Sequence, residues 1–157
     1  MRQESFYLDN MKIKCSTIIN VPLERVLELF LDVNSLKFWQ EGLVSYELLN
    51  GELWHKGARS KIVYKTKRGN IELIETVQIN ELPGEMTALY EHLHGSNTMT
   101  SRFNRLDENT TAFVLEVEPV EIKGFVPKVM LKLMPGMPRK GTQKMVDDFK
   151  RFAESKK

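Results

Sequence analysis

Polar and apolar residues alternate from Lys12 to Ile19, with Ile13, Cys15, Thr17 and Ile19 on one face and Lys12, Lys14 and Ser16 on the other. That period predicts a half-buried strand. The period changes at Asn20-Val21-Pro22, after which Leu23, Val26, Leu27 and Phe30 recur at helical spacing and predict one apolar stripe. Pro22 suits the first turn, where its missing N–H had no helical partner, and Glu24 lies near the positive end of the helix dipole. Asp32 and Asn34 should break this helix, and Ser35 to Trp39 add a short second one.

From Gly42 to Val120 the pattern is strand-like and cut by turn residues. Strands are expected over Leu43 to Leu49, ended by Asn50-Gly51, and over Ser60 to Thr66. Arg68-Gly69-Asn70 then leads into Ile71 to Ile79, and Leu82-Pro83-Gly84-Glu85 into Met86 to Leu93, with further turns at Gly95-Ser96 and Asp107-Glu108-Asn109. Six strands with connections this short must form an antiparallel meander, because parallel pairing needs crossovers of about a dozen residues. The first strand makes seven. Beyond Val126 the pattern is helical again, with Met145, Phe149 and Phe152 on one side, and Pro135-Gly136-Met137-Pro138 should interrupt or kink it.

The motif Val21-Pro22-Leu23-Glu24-Arg25-Val26, with Phe30, Asp32 and Trp39, precedes the meander, and Phe149-Lys150-Arg151-Phe152 stands near the end. In this order the chain resembles the START-like or Bet v 1-like superfamily, including its polyketide cyclase/dehydrase group, over roughly residues 11 to 155. The resemblance implies an α+β helix-grip fold: a curved seven-stranded antiparallel sheet around a long C-terminal helix, two short helices after strand 1, and an apolar cavity between sheet and helix. Such folds serve lipid carriers, receptors, cyclases and protein-binding regulators, so the fold selects none of these functions.

Hairpin parity points to a site. Loop length fixes which residues share a face. With two or four loop residues at Leu82 to Glu85, Glu75 should oppose His92, Val77 should oppose Tyr90, and Leu73 should lie near His94. With two loop residues at Gly69, Ser60, Ile62, Tyr64 and Thr66 join the face of Leu73 and Glu75, and the same count at Gly95-Ser96 adds Met99, Ser101 and Phe103. The inner face then also carries Ile71, Val77, Ile79 and Ala88. Glu75 is the outlier on it. A carboxylate on an apolar surface is costly without partners, which Tyr64, Tyr90 and His92 could supply. It is either a polar anchor in a greasy cavity, an acid/base group working with His92, or a satisfied structural network.

Composition adds limits. A chain of 157 residues suits one domain, 1–157, with 1–10 read as a flexible extension. A net charge of +2, from 28% charged residues, gives no footprint for nucleic acid. No apolar run approaches the ~20 residues of a membrane span, and no secretory leader is evident, so a cytoplasmic protein is expected. The lone Cys15 excludes an internal disulfide and reads as a buried, inert thiol. His92-Leu93-His94 with Glu75 falls short of a convincing zinc ligand set, and there is no nucleophile elbow or phosphate loop, so neither metal nor cofactor is expected. Trp39 reads as a core anchor and Trp54 as a loop residue near the rim. Phe125 to Met137, rich in Met and flanked by Lys123, Lys128, Lys132, Arg139 and Lys140, either packs on the sheet or forms a gate making transient contact with anionic membrane.

The leading expectation is a protein that binds a hydrophobic or amphipathic small molecule (lipid, isoprenoid or polyketide-like). Tyr64, Glu75, Tyr90, His92 and Ser101 would be its polar contacts, with Met99, Phe103, Met130 and Met134 as apolar walls. The alternatives are a cyclase- or dehydratase-type enzyme with Glu75 and His92 as acid/base, and an interaction module like chaperone activators. Monomer and homodimer both remain open.

Overall fold

The computed structural model describes residues 11–134 and 136–156, the Leu131 side chain excepted; the expected flexible segment 1–10 and Pro135 lie outside the described residues. The elements run β1 (Ile13–Ile19), α1 (Leu23–Leu31), a 3-10 turn (Val33–Ser35), α2 (Leu36–Trp39), β2 (Leu43–Asn50), β3 (Arg59–Thr66), β4 (Gly69–Glu81), β5 (Glu85–His92), β6 (Gly95–Arg105), β7 (Thr111–Ile122), α3 (Phe125–Leu133) and α4 (Met137–Glu154). All strand pairs are antiparallel. The order across the curved sheet is β1-β7-β6-β5-β4-β3-β2. Consecutive strands β1 and β2 thus lie at opposite edges, and α1 and α2 must carry the chain from one edge to the other. This is the helix-grip architecture.

Local chemistry sets the boundaries. Pro22 precedes α1 and its carbonyl accepts from Val26 N–H at 3.0 Å. Asp32 ends the helix and caps the next turn, its carboxylate accepting from Asn34 N–H at 3.0 Å and from the Ser35 hydroxyl at 2.5 Å. Leu23, Val26 and Leu29 are the buried residues of α1; Leu27 and Phe30 flank this stripe and are half-buried. The break expected after residue 134 separates α3 from α4, so the terminal helix proper begins at Met137.

The core is aromatic. Phe103 and Phe113 on neighbouring strands stack at 4.6 Å, and Phe149 of α4 meets Phe113 at 5.6 Å, Trp39 at 4.9 Å and Phe30 at 5.5 Å. Cys15 is buried in the same core, and burial pushes its thiol up. Packing against β1, β7 and α2, α4 covers one half of the concave face.

Two expectations on the meander are corrected. The β5–β6 turn is Leu93-His94, with Gly95 and Ser96 already in the strand. Gly95 starts it because a Cβ there would lie 2.0 Å from the Glu121 carbonyl oxygen. The β4–β5 loop holds three residues, Leu82 to Gly84, which alone would invert the parity, but a bulge at Gln78 inverts it again. The faces expected below the bulge are therefore correct while the pairing is not: Glu75 opposes Tyr90 rather than His92, and Val77 opposes Ala88. Beyond the bulge, Ile79 pairs with Thr87 and leaves the inner face; it is 37% exposed.

Truncating the ring that joins α4 to both sheet and short helices should be severe. Phe149→Ala is expected to cost about 3–5 kcal/mol, seen as a lower urea midpoint at unchanged slope. A loss below about 1 kcal/mol would show that this ring does not close the core.

Candidate functional site

Where α4 does not cover the sheet, a cavity of about 250 Å³ remains between β2–β7, α1, α2 and the Met145 side of α4. Its floor comes from Ile62, Leu73, Met86, Ala88, Met99 and Leu115, and its upper wall from Phe30, Leu36, Trp39 and Met145. Trp54 closes one side from the loop after β2, its indole N–H donating to the Leu31 carbonyl at 2.8 Å.

Glu75 faces into this space and is only 4% exposed. Its two oxygens are held separately: the Tyr46 hydroxyl donates to Oε1 and the Tyr90 hydroxyl to Oε2, both at 2.6 Å. Burial lifts the Glu75 carboxyl above the usual glutamate range, and these two hydrogen bonds draw it partway back. Burial, and then the negative charge beside them, push the Tyr46 and Tyr90 hydroxyls up as well. Tyr64 has the same shift from the same causes, but its hydroxyl donates to Gln40 Oε1 at 2.5 Å rather than to Glu75.

His92 lines the outer end of the cavity, and burial, then the nearby His94 and Lys123, lower its pKa. Its Nδ1 accepts from the His94 backbone N–H at 3.1 Å. Among the described residues no hydrogen bond joins Glu75 to His92. His94 itself is an exposed turn residue.

Of the residues expected at the site, Tyr64, Glu75, Tyr90, His92, Met99 and Ser101 line one cavity. Phe103 does not; its ring is part of the aromatic core beneath. Met130 and Met134 do not either, being 41% and 50% exposed on and just after α3. Sequence reasoning missed Tyr46, Gln40 and Asn97. Tyr46 pairs with Ile62 across β2–β3, but loop 51–58 and two register shifts separate it from any hairpin whose parity could be counted. Asn97 pairs with Tyr90 and shares the parity that put Met99 and Ser101 on the inner face, so the same count reaches it.

No protein-family model matches the chain, and no curated protein matches its sequence. Solved structures do match. A START superfamily protein from Mycobacterium smegmatis superposes with a TM-score of 0.75 at 11% identity, covering 93% of this chain and 99% of that one. The Zhui aromatase/cyclase from a Streptomyces species gives 0.74 at 12%, covering 92% and 94%. The structure of Ara h 8.0201 gives 0.68 at 9%, covering 92% and 97%. At these identities the likeness is one of fold, and the chain has the helix-grip fold common to START-like proteins, aromatase/cyclases and Ara h 8.0201.

Proposed function

We propose that this protein binds a hydrophobic or amphipathic small molecule in the cavity, with the Tyr46–Glu75–Tyr90 cluster as its polar anchor. One observation carries the reading: a partly open, mainly apolar cavity is built around a buried carboxylate, a group that is costly to keep in an apolar interior. Volume limits the ligand. A cavity of ~150 Å³ admits benzene, so about 250 Å³ suits a one- or two-ring molecule or a short isoprenoid better than a sterol or a two-chain lipid. Glu75–His92 acid/base catalysis has less support, because tyrosines hold both Glu75 oxygens and the His94 N–H holds His92 Nδ1. The buried thiol Cys15 suits a reducing compartment, so the proposed location is the cytoplasm.

A second surface fits ligand exchange at an anionic membrane. No helix among the described residues is long and apolar enough to cross a membrane. Yet α3 exposes Phe125, Val126 and Leu133 at 81%, 67% and 73%, and no Asp or Glu occurs between Lys123 and Met145. The groove beneath it shares His92 and Asn97 with the cavity. Apolar side chains ringed by cations are the composition of an interfacial helix.

Three measurements test these readings. Titrating ligand-stripped protein with one- and two-ring aromatic compounds should show binding with a negative heat-capacity change; no uptake of any such compound would sink the cavity reading. Because its raised pKa makes folded Glu75 hold a proton more tightly than the unfolded chain does, its stabilising contribution is complete below the unfolded value of about 4.3. It is lost as pH rises through the folded value. Urea midpoints of wild type and Glu75→Gln, compared upward from about pH 4, should therefore shift in favour of the variant, whereas a constant difference would contradict a buried, proton-retaining Glu75. Vesicles containing phosphatidylserine should retain the protein better than pure phosphatidylcholine, and Leu133→Asp should abolish that retention; equal retention on both would remove the membrane role.

A further inference from the structure

The cavity holds one acidic group that has no cationic partner among the described residues. Among the described residues Glu75 is its only acidic side chain, and no lysine or arginine lines it. Lys132 of α3 and Arg139 of α4 line the adjoining groove that shares His92 and Asn97 with the cavity, and Lys144 of α4 is paired with Glu41 and Asp148. His92, at the outer end, is held toward its neutral form by burial and by His94 and Lys123. Two phenols stabilise the carboxylate, but phenols are neutral: they occupy one lone-pair site on each oxygen and leave the charge in place.

The hydrogen-bond valence at this point is also one-sided. The Tyr46 and Tyr90 protons are committed to Glu75, and the Tyr64 proton to Gln40. What these groups still offer a ligand is acceptors: carboxylate and phenol lone pairs. A ligand donor placed against Glu75 would be received; the cavity's free buried donor among the described residues, the Trp39 indole N–H, lies on the upper wall. Around the carboxylate, the rings of Trp39, Tyr46, Trp54, Tyr64 and Tyr90 line the same space. A carboxylate among aromatic faces attracts organic cations, through charge and through the ring quadrupoles together.

We infer that the cavity selects a small hydrophobic amine, bound as its ammonium ion against Glu75 within the aromatic enclosure, the size of the space fitting an arylalkylamine. This rests on the ligand-binding reading above and specifies its ligand class. The ammonium supplies the missing counter-charge, so the carboxylate is ionised in the complex, and the rings replace water around the cation.

Calorimetric titration with three probes sharing a phenylethyl group tests it: 2-phenylethylamine, 2-phenylethanol and 3-phenylpropanoate. The amine should bind at least about tenfold more tightly than the alcohol, a margin that one desolvated cation–π contact exceeds, and the acid should not bind. Glu75→Gln should abolish the difference between amine and alcohol. If the alcohol binds as well as the amine, or Glu75→Gln keeps the preference, the amine assignment is wrong while the cavity reading stands. If none of the three binds, and neutral one- and two-ring aromatics also fail, the cavity reading falls and the amine with it. Should Glu75→Gln not fold, the wild-type ranking of the three probes decides alone.

Discussion

The structure depends on a connection that must cross its own sheet. With β1 and β2 at opposite edges, the chain between them passes over the concave face, and α1 and α2 hold there only by packing on something. Phe30 and Trp39 are the groups they extend, and Phe149 of α4 meets both, with Phe103 and Phe113 beneath. Sheet, crossing helices and terminal helix therefore share one aromatic cluster, and none of the three is closed without the others. Edge-to-face and stacked rings at 4.6–6.4 Å are directional as well as apolar, which fixes where α4 lies.

That placement makes the hollow. One helix cannot cover seven strands, and α4 is committed to the β1–β7 side, where Val146, Phe149 and Ala153 are wholly buried. Much of the inner face of β3 to β5 is left uncovered by α4, and only Val77 and Met86 at one end pack against α1. The uncovered side chains change character accordingly: Tyr64, Glu75 and Tyr90 stand where a filled core would have leucines. Side chains of this kind keep an opening from closing, because a carboxylate and phenols lose more on being sealed without partners than apolar groups gain. Local preference and global fold disagree at Glu75, and such disagreements concentrate where a protein does its work.

Much of this was legible in the chain. Alternation in β1, the Val21-Pro22 helix start and the short turns gave all seven strands and their sense, because period and turn chemistry are local. Hairpin parity gave the inner face carrying Tyr64, Glu75, Tyr90, Met99 and Ser101. The rest was not local. Tyr46 reaches Glu75 from a strand joined through loop 51–58, across which no parity can be counted. Phe103 obeys the alternation yet lies within the aromatic core because α4 settles above it. Met130 and Met134 looked like wall residues because they are apolar, but the break before Met137 turns their segment away from the cavity.

The bulge at Gln78 has a bearing on how this sequence can change over time. A three-residue loop and one surplus strand residue are each out of phase with the sheet, and only together do they leave Glu75 pointing inward. Insertion or deletion of one residue in either would put Glu75 and the Tyr90 that holds it on opposite faces of the sheet, without touching a single site residue. Descendants of this chain are thus free to vary the residues of the β4–β5 hairpin far more readily than its length, and any length change that survives should arrive as a compensated pair.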